Sequence, residues 1–329
     1  MPAERFLVTG ALGCIGAWVV RNLAREGAAP VVFDLASDPR RLKLIMTPDE
    51  LAQVTFVAGD IADLAALEHA LDEHRITHII HLAALQVPFC KADPPLGARV
   101  NVVGTVNVFE AVARRRERIG RVVYASSAAV YDAADADSSG APIQHGLSGH
   151  PTTLYGVYKQ ANEGTARVFW QDARVTSIGL RPYIVYGPGR DQGLTSSPTK
   201  AMFAVAVGRP FHIPFGGRAA YQYADDAAKA FIACARAPFE GVEIFNLSGS
   251  IAPMHEIVAA IEAAAPEARG TITFDEAALP FPEEYDAEPL AELIGPLPIT
   301  PLRQAVAETV ALFRQRVAEG LLAPDAMLG

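Results

Sequence analysis

Cysteine is scarce in this 329-residue chain: Cys14, Cys90 and Cys234 are an odd set with no paired spacing. No C-x-x-C or zinc-type spacing occurs, which argues against a disulfide framework and against a metal site. A reducing compartment, the cytoplasm, is the expected location. Basic charge is not in excess either. The formal net charge is −9, so a nucleic-acid partner is not expected. The one basic run, Arg114–Arg118, ends a predicted helix, where cations suit the negative end of the dipole. No apolar run reaches the ~20 residues that span a bilayer, so no membrane partner is expected. The opening "MPAERFLVTG" lacks the n-region and h-region of a signal peptide. Internal repeats are absent too.

What the chain has is apolar alternation. Half of its residues are hydrophobic, ample for a large core. Strands are expected at 5–10, 30–34, 54–60, 77–84, 121–127 and 175–182. Helix-length stretches lie at 14–26, 63–74, 94–116 and 153–173. The strand runs are continuously apolar, as in a parallel sheet covered on both faces. This predicts an α/β fold: a Rossmann-type doubly wound parallel sheet with a smaller C-terminal α/β substrate domain. The dinucleotide domain is placed at 1–182, with part of 215–250 returning to it, and the second domain at 183–329. Beyond residue 182 the pattern loosens. "YGPGRDQGLTSSP" reads as loop, followed by shorter helices and strands, a proline-rich stretch at 279–301 and a terminal helix near 301–319.

"VTGALGCIG" joins the first strand to the first helix. Gly10 permits a tight turn, Gly13 a close approach of backbone to a pyrophosphate, and Gly16 tight packing of helix on sheet. Cys14 and Ile15 share this turn, where the helix N-terminus offers unpaired N–H groups. Glycines alone also simply turn chains. Asp34, 24 residues after Gly10, ends the second strand. A carboxylate there accepts hydrogen bonds from ribose hydroxyls and repels a 2′-phosphate, favouring NAD over NADP. Arg40 and Arg41 nearby soften that preference.

"YGVYK" sets Tyr155 and Lys159 four apart on one helical face. A phenol with pKa ~10 is a poor base at neutral pH, and a neighbouring ammonium lowers that value. Proton abstraction from an alcohol then becomes feasible. Ser126 and Ser127 end the preceding strand, at the edge where such sheets bind ligands, and can hydrogen-bond a reacting oxygen. Leu82, Ala83 and Ala84 leave room for a flat ring, and Asn101 is placed to anchor a water relay. His78 and His81 fall on opposite faces of a strand, and no metal is expected.

TGxxGxxG, Asp34, Asp60–Ile61, "HLAA", Asn101, "SSAAVY", Y-x-x-x-K and "RPYIVYGPG" occur in this order. Together they resemble the extended short-chain dehydrogenase/reductase family, the NAD-dependent epimerase/dehydratase group. The resemblance implies NAD as cofactor and Tyr155 as acid/base, with Lys159 its partner and nicotinamide-ribose ligand. It implies Ser127 as the catalytic Ser/Thr with help from Ser126, Asp60 and Ile61 at the adenine, and Pro182 among the cofactor residues. It also implies a homodimer through helices 94–116 and 153–173.

Departures bear on substrate. Ala128 and Ala129 stand where family dehydratases carry an acidic pair, so dehydration is not expected. Ala219 and Ala220 occupy the slots where nucleotide-sugar enzymes often carry Arg and Asp. A smaller anionic substrate is left with Arg218 or Arg190 as a carboxylate clamp. Thr195 and Ser196 are candidates for contacts to a polyol, Ser196 equally for a helix cap, and Gln86 and Phe89 for the cleft wall. The expected activity is hydride removal from a secondary alcohol of a sugar or sugar acid. A nucleotide-sugar epimerase with transient hydride transfer is the alternative, and a non-catalytic dinucleotide sensor is an alternative of another class.

Overall fold

Each of the six apolar runs forms a strand of one sheet in the computed structural model, which describes residues 4–136 and 141–328. The strands are β1 (Phe6–Thr9), β2 (Val31–Asp34), β3 (Thr55–Ala58), β4 (His78–His81), β5 (Val122–Ala125) and β6 (Ser177–Arg181). A seventh, Val242–Asn246, arrives from the second half of the chain. With β7 (Ile184–Tyr186), β8 (Phe211–Ile213) and β9 (Arg218–Tyr223) between them, it is β10. The sheet order is β10-β6-β5-β4-β1-β2-β3, and every pairing is parallel. The order reverses at β1, which opens a crevice at the carboxyl ends of β1, β2 and β4.

β1 and β6 are buried along their whole length, as the unbroken apolar runs require. Helix Cys14–Arg25 lies on one face against helix Ala224–Arg236, where Trp18 packs on Tyr223 at 5.7 Å and Asn22 donates to Asp225 at 2.8 Å. Thus β10 joins the sheet beside β6, and the helix before it packs against Cys14–Arg25.

The expected helix 94–116 runs without a gap from Pro94 to Ala113 and changes its turn type on the way. It runs as Pro94–Ala98, a π-turn Arg99–Val103 and an α-helix Gly104–Ala113. The π-turn carries Asn101, and such turns are frequent where a side chain must be re-aimed. The basic run beyond it is held by carboxylates rather than by the dipole alone. Arg114 and Arg115 reach Glu68, and Arg115 and Arg118 reach Asp72 at 2.6 Å.

β7, β9 and β11 (Ser250–Pro253) form a small mixed sheet, and β8 pairs with β12 (Ile272–Phe274). β7 lies just before the stretch that reads as loop. At three residues it is too short to show a period.

Candidate active site

The glycine turn is a cradle that side chains would fill. Gly10 has φ +63°, and a Cβ there would meet the Ala83 amide nitrogen at 2.5 Å. A Cβ on Gly16 would meet the Gly10 carbonyl oxygen at 2.4 Å. Gly13 donates to that same carbonyl at 3.0 Å, closing the turn. Gly10, Gly13, Cys14, Ile15 and Gly16 all line a cleft of about 520 Å³. The first-turn amides of the helix have no intrahelical partner and stand at its wall.

Asp34 is fixed at the rim of this cleft by two backbone amides, Leu12 to Oδ2 at 2.9 Å and Ala36 to Oδ1 at 3.0 Å. Asp60, Ile61, Leu82, Ala83, Ala84 and Pro182 also line this cleft. Sequence reasoning missed Asp191. Its carboxylate takes Arg41 at 2.5 Å and Arg40 at 3.2 Å, across 150 residues of chain, while Arg41 also donates to the Leu12 carbonyl. Both arginines therefore hold a carboxylate already, and Asp34 keeps its preference for a ribose diol. The open glycine cradle and the fixed carboxylate fit NAD.

Tyr155 and Lys159 enter from helix Leu154–Ala173, whose first turn is capped by Thr153 accepting from the Gly156 amide at 3.0 Å. Lys159 is buried, donates to the Ala125 carbonyl at 2.7 Å, and lies 5.6 Å from the centre of the Tyr155 ring. Ser127 lines the cleft with Tyr155 and accepts from the Ala129 amide at 3.1 Å. The electrostatics differ from the expectation. Burial raises the phenol above its ordinary value, and Ser127 and Arg190 oppose that rise. Lys159 is itself pushed down to about 8 by burial. The neighbouring cation that sequence reasoning underrated is Arg190.

Ser127, Tyr155, Lys159, Gln86, Phe89, Arg190 and Thr195 share the cleft wall. Four expectations need correction. Ser126 borders the cleft, but its hydroxyl donates to Glu163 at 2.5 Å and is not directed to a reacting oxygen. Asn101 is fully buried and outside the wall. Its amide binds Leu85 through both backbone groups, Gly97 O at 3.0 Å and Cys90 Sγ, so its side chain ties down the loop after β4. Arg218 lies outside the cleft and pairs with Glu283 and Glu284. Ser196 is buried and donates to Gly193 O at 2.8 Å. It reaches neither the cleft nor the helix amides it precedes.

His81 is held by Thr9 at 2.7 Å and Thr105 at 3.1 Å, and burial pushes it down to about 3, so it is neutral. Among the described residues no group of three His, Cys, Asp or Glu is placed to hold a metal.

Fold and cleft define an NAD-dependent oxidoreductase of the extended short-chain dehydrogenase/reductase type. The chain belongs to the NAD-dependent epimerase/dehydratase family, whose model matches residues 6–248. A UDP-glucose 4-epimerase of Mycolicibacterium smegmatis is 30% identical over 95% of this chain and 99% of its own length. UDP-glucuronate 4-epimerase 5 of Arabidopsis thaliana is 31% identical over 68% of this chain, which spans 52%, about half, of that relative. The NAD complex of the Thermus thermophilus UDP-glucose 4-epimerase superposes with TM-score 0.79 at 25% identity, covering 94% of this chain and 99% of that one. A monomeric L-threonine 3-dehydrogenase of metagenomic origin shares the fold, with TM-score 0.81 at 20% identity over 94% and 99% of the two chains. Among the described residues no helix is long and apolar enough to cross a membrane.

Proposed function

We propose that this enzyme removes hydride from a secondary alcohol of a sugar or sugar-acid-like substrate. The observation that carries this reading is the shared cleft wall of Tyr155, Ser127 and Lys159 beside the glycine cradle. Bound NAD supplies the hydride acceptor. Tyr155 takes the hydroxyl proton while the carbinol C–H bond breaks, leaving a carbonyl. Ser127 orients the phenol, and Lys159 holds the ribose and adds positive charge near it.

A nucleotide-sugar epimerase is the second reading, favoured by the name of the full-length relative. Against it, Ala219 and Ala220 are buried in β9, and Arg218 is held by two glutamates. The test is a panel of free sugars, sugar acids and nucleotide sugars, read as NADH absorbance with parallel analysis for epimers. NADH from a free sugar or sugar acid is the expected result. Epimerised nucleotide sugar with no net NADH would replace this reading with the second.

The proposed assembly is a homodimer. Leu96, Val103 and Val106 on the 94–113 stretch, with Leu154, Val157 and Val168 on Leu154–Ala173, are large apolar side chains left exposed on two neighbouring helices. Light scattering is expected to give twice 35.0 kDa, and Val157→Glu to give a monomer. A wild-type monomer would reject the assembly.

A further inference from the structure

We propose that the substrate carries a carboxylate, and that Arg190 is the residue that binds it. This rests on the hydride-transfer reading above and names the substrate class for the same site. Arg190 stands in the cleft wall with Tyr155 and Thr195. Among the described residues no carboxylate lies within ion-pair distance of it, although Asp191 is its chain neighbour. That carboxylate is occupied by Arg40 and Arg41. Nη2 of Arg190 donates to Thr195 Oγ1 at 2.9 Å, and Nε is buried with no partner at all. An unpaired buried donor of this kind is unfavourable until something accepts from it.

The Nε/Nη2 edge is the one that takes a carboxylate side-on, through two parallel hydrogen bonds. A carboxylate docked there satisfies Nε and neutralises the guanidinium. Thr195 Oγ1 accepts from Arg190, so its own proton is available to the ligand. Arg190 and Tyr155 line the same cleft. A hydroxy acid gripped by its carboxylate therefore presents a carbinol to the phenol.

Size points the same way. A cleft for one ligand measures roughly 300–1,000 Å³. This one is about 520 Å³ and must also take the dinucleotide. Phe281 bounds it beside Tyr183, with the two rings edge to face at 5.7 Å. That leaves little room for a second nucleotide.

The test is calorimetric titration of the NADH-loaded protein with gluconate, galacturonate, sorbitol, glucose 6-phosphate and UDP-glucose. At least one of the two carboxylates is expected to bind, and sorbitol is not. Arg190→Met is expected to weaken that binding at least tenfold while the thermal-unfolding midpoint stays near that of the wild type, which shows that the variant is folded. Arg190→Lys, a point charge without the fork, is expected to fall between. The proposal is overturned if neither carboxylate binds, if a phosphate ligand binds more tightly than both, or if Arg190→Met binds them as the wild type does. Arg190-dependent binding without NADH formation from any bound acid would keep the carboxylate site and reject hydride transfer instead.

Discussion

Tyr155→Phe is expected to lower turnover of any alcohol substrate by about 10³-fold, within the 10²–10⁴ that a positioned proton acceptor supplies. The substitution removes one oxygen and keeps the ring, so the packing against Lys159 survives. NAD affinity should stay within about twofold, because the cradle at Gly10–Gly16 and the Asp34 carboxylate are untouched. The pH profile gives a second readout with a definite sign. Burial holds the phenol above its ordinary value, and the ionised form is the base. Wild-type turnover should therefore rise with pH across the neutral range, and the rise should vanish in the variant. Steady-state kinetics at saturating substrate check both. Unchanged turnover, or a rise that persists without the phenol, would remove Tyr155 from the chemistry.

The sequence showed the cradle and the Tyr–Lys pair because both are local. Three glycines three apart, between an apolar run and a helix, need only a short window to be read. So does a pair at helical spacing. Asp34 was legible because a strand end is marked by where its apolar run stops. What the sequence hid depends on partners distant in the chain. Ser126 looked like a helper to Ser127, but its hydroxyl donates to Glu163, 37 residues on. Arg218 and Arg190 looked equivalent as loop arginines. One is spent on two glutamates, and the other has lost its neighbouring carboxylate to Arg40 and Arg41. Asn101 was placed in the right region but with the wrong partners, because a π-turn is not visible in residue spacing. The short strands β7 and β11 carry too few residues for any period to show.

Glu163→Gln is expected to destabilise the fold by about 3–5 kcal/mol, the cost of stranding one member of a buried ion pair. Glu163 and Arg181 are both 2% exposed and are joined by two hydrogen bonds of 2.7 Å. Burial alone would push the Arg181 guanidinium down, but the bonds from Glu163 reverse this and hold it up. The pair is also a junction. Glu163 takes the Ser126 hydroxyl at the end of β5, and Arg181 reaches the Tyr131 hydroxyl, which donates to Asn246 of β10 at 2.9 Å. Two neighbouring strands and β10 at the sheet edge are thus pinned to the helix that carries Tyr155 and Lys159. Amide for carboxylate keeps the shape and removes the charge, so Arg181 is left buried with its charge uncompensated. At about 2 °C per kcal/mol for a chain of this length, the midpoint should drop by roughly 6–10 °C. The paired change Glu163→Leu with Arg181→Met should recover much of that loss, since a buried pair contributes little beyond an apolar replacement. It should not recover turnover, because Ser126 and Tyr131 lose the partners that fix the ends of β5 and β6. Thermal unfolding and kcat measured on both variants separate the two effects. A midpoint within 1–2 °C of wild type for Glu163→Gln, well below the roughly 6–10 °C drop, would show that the pair does not stabilise this sheet edge.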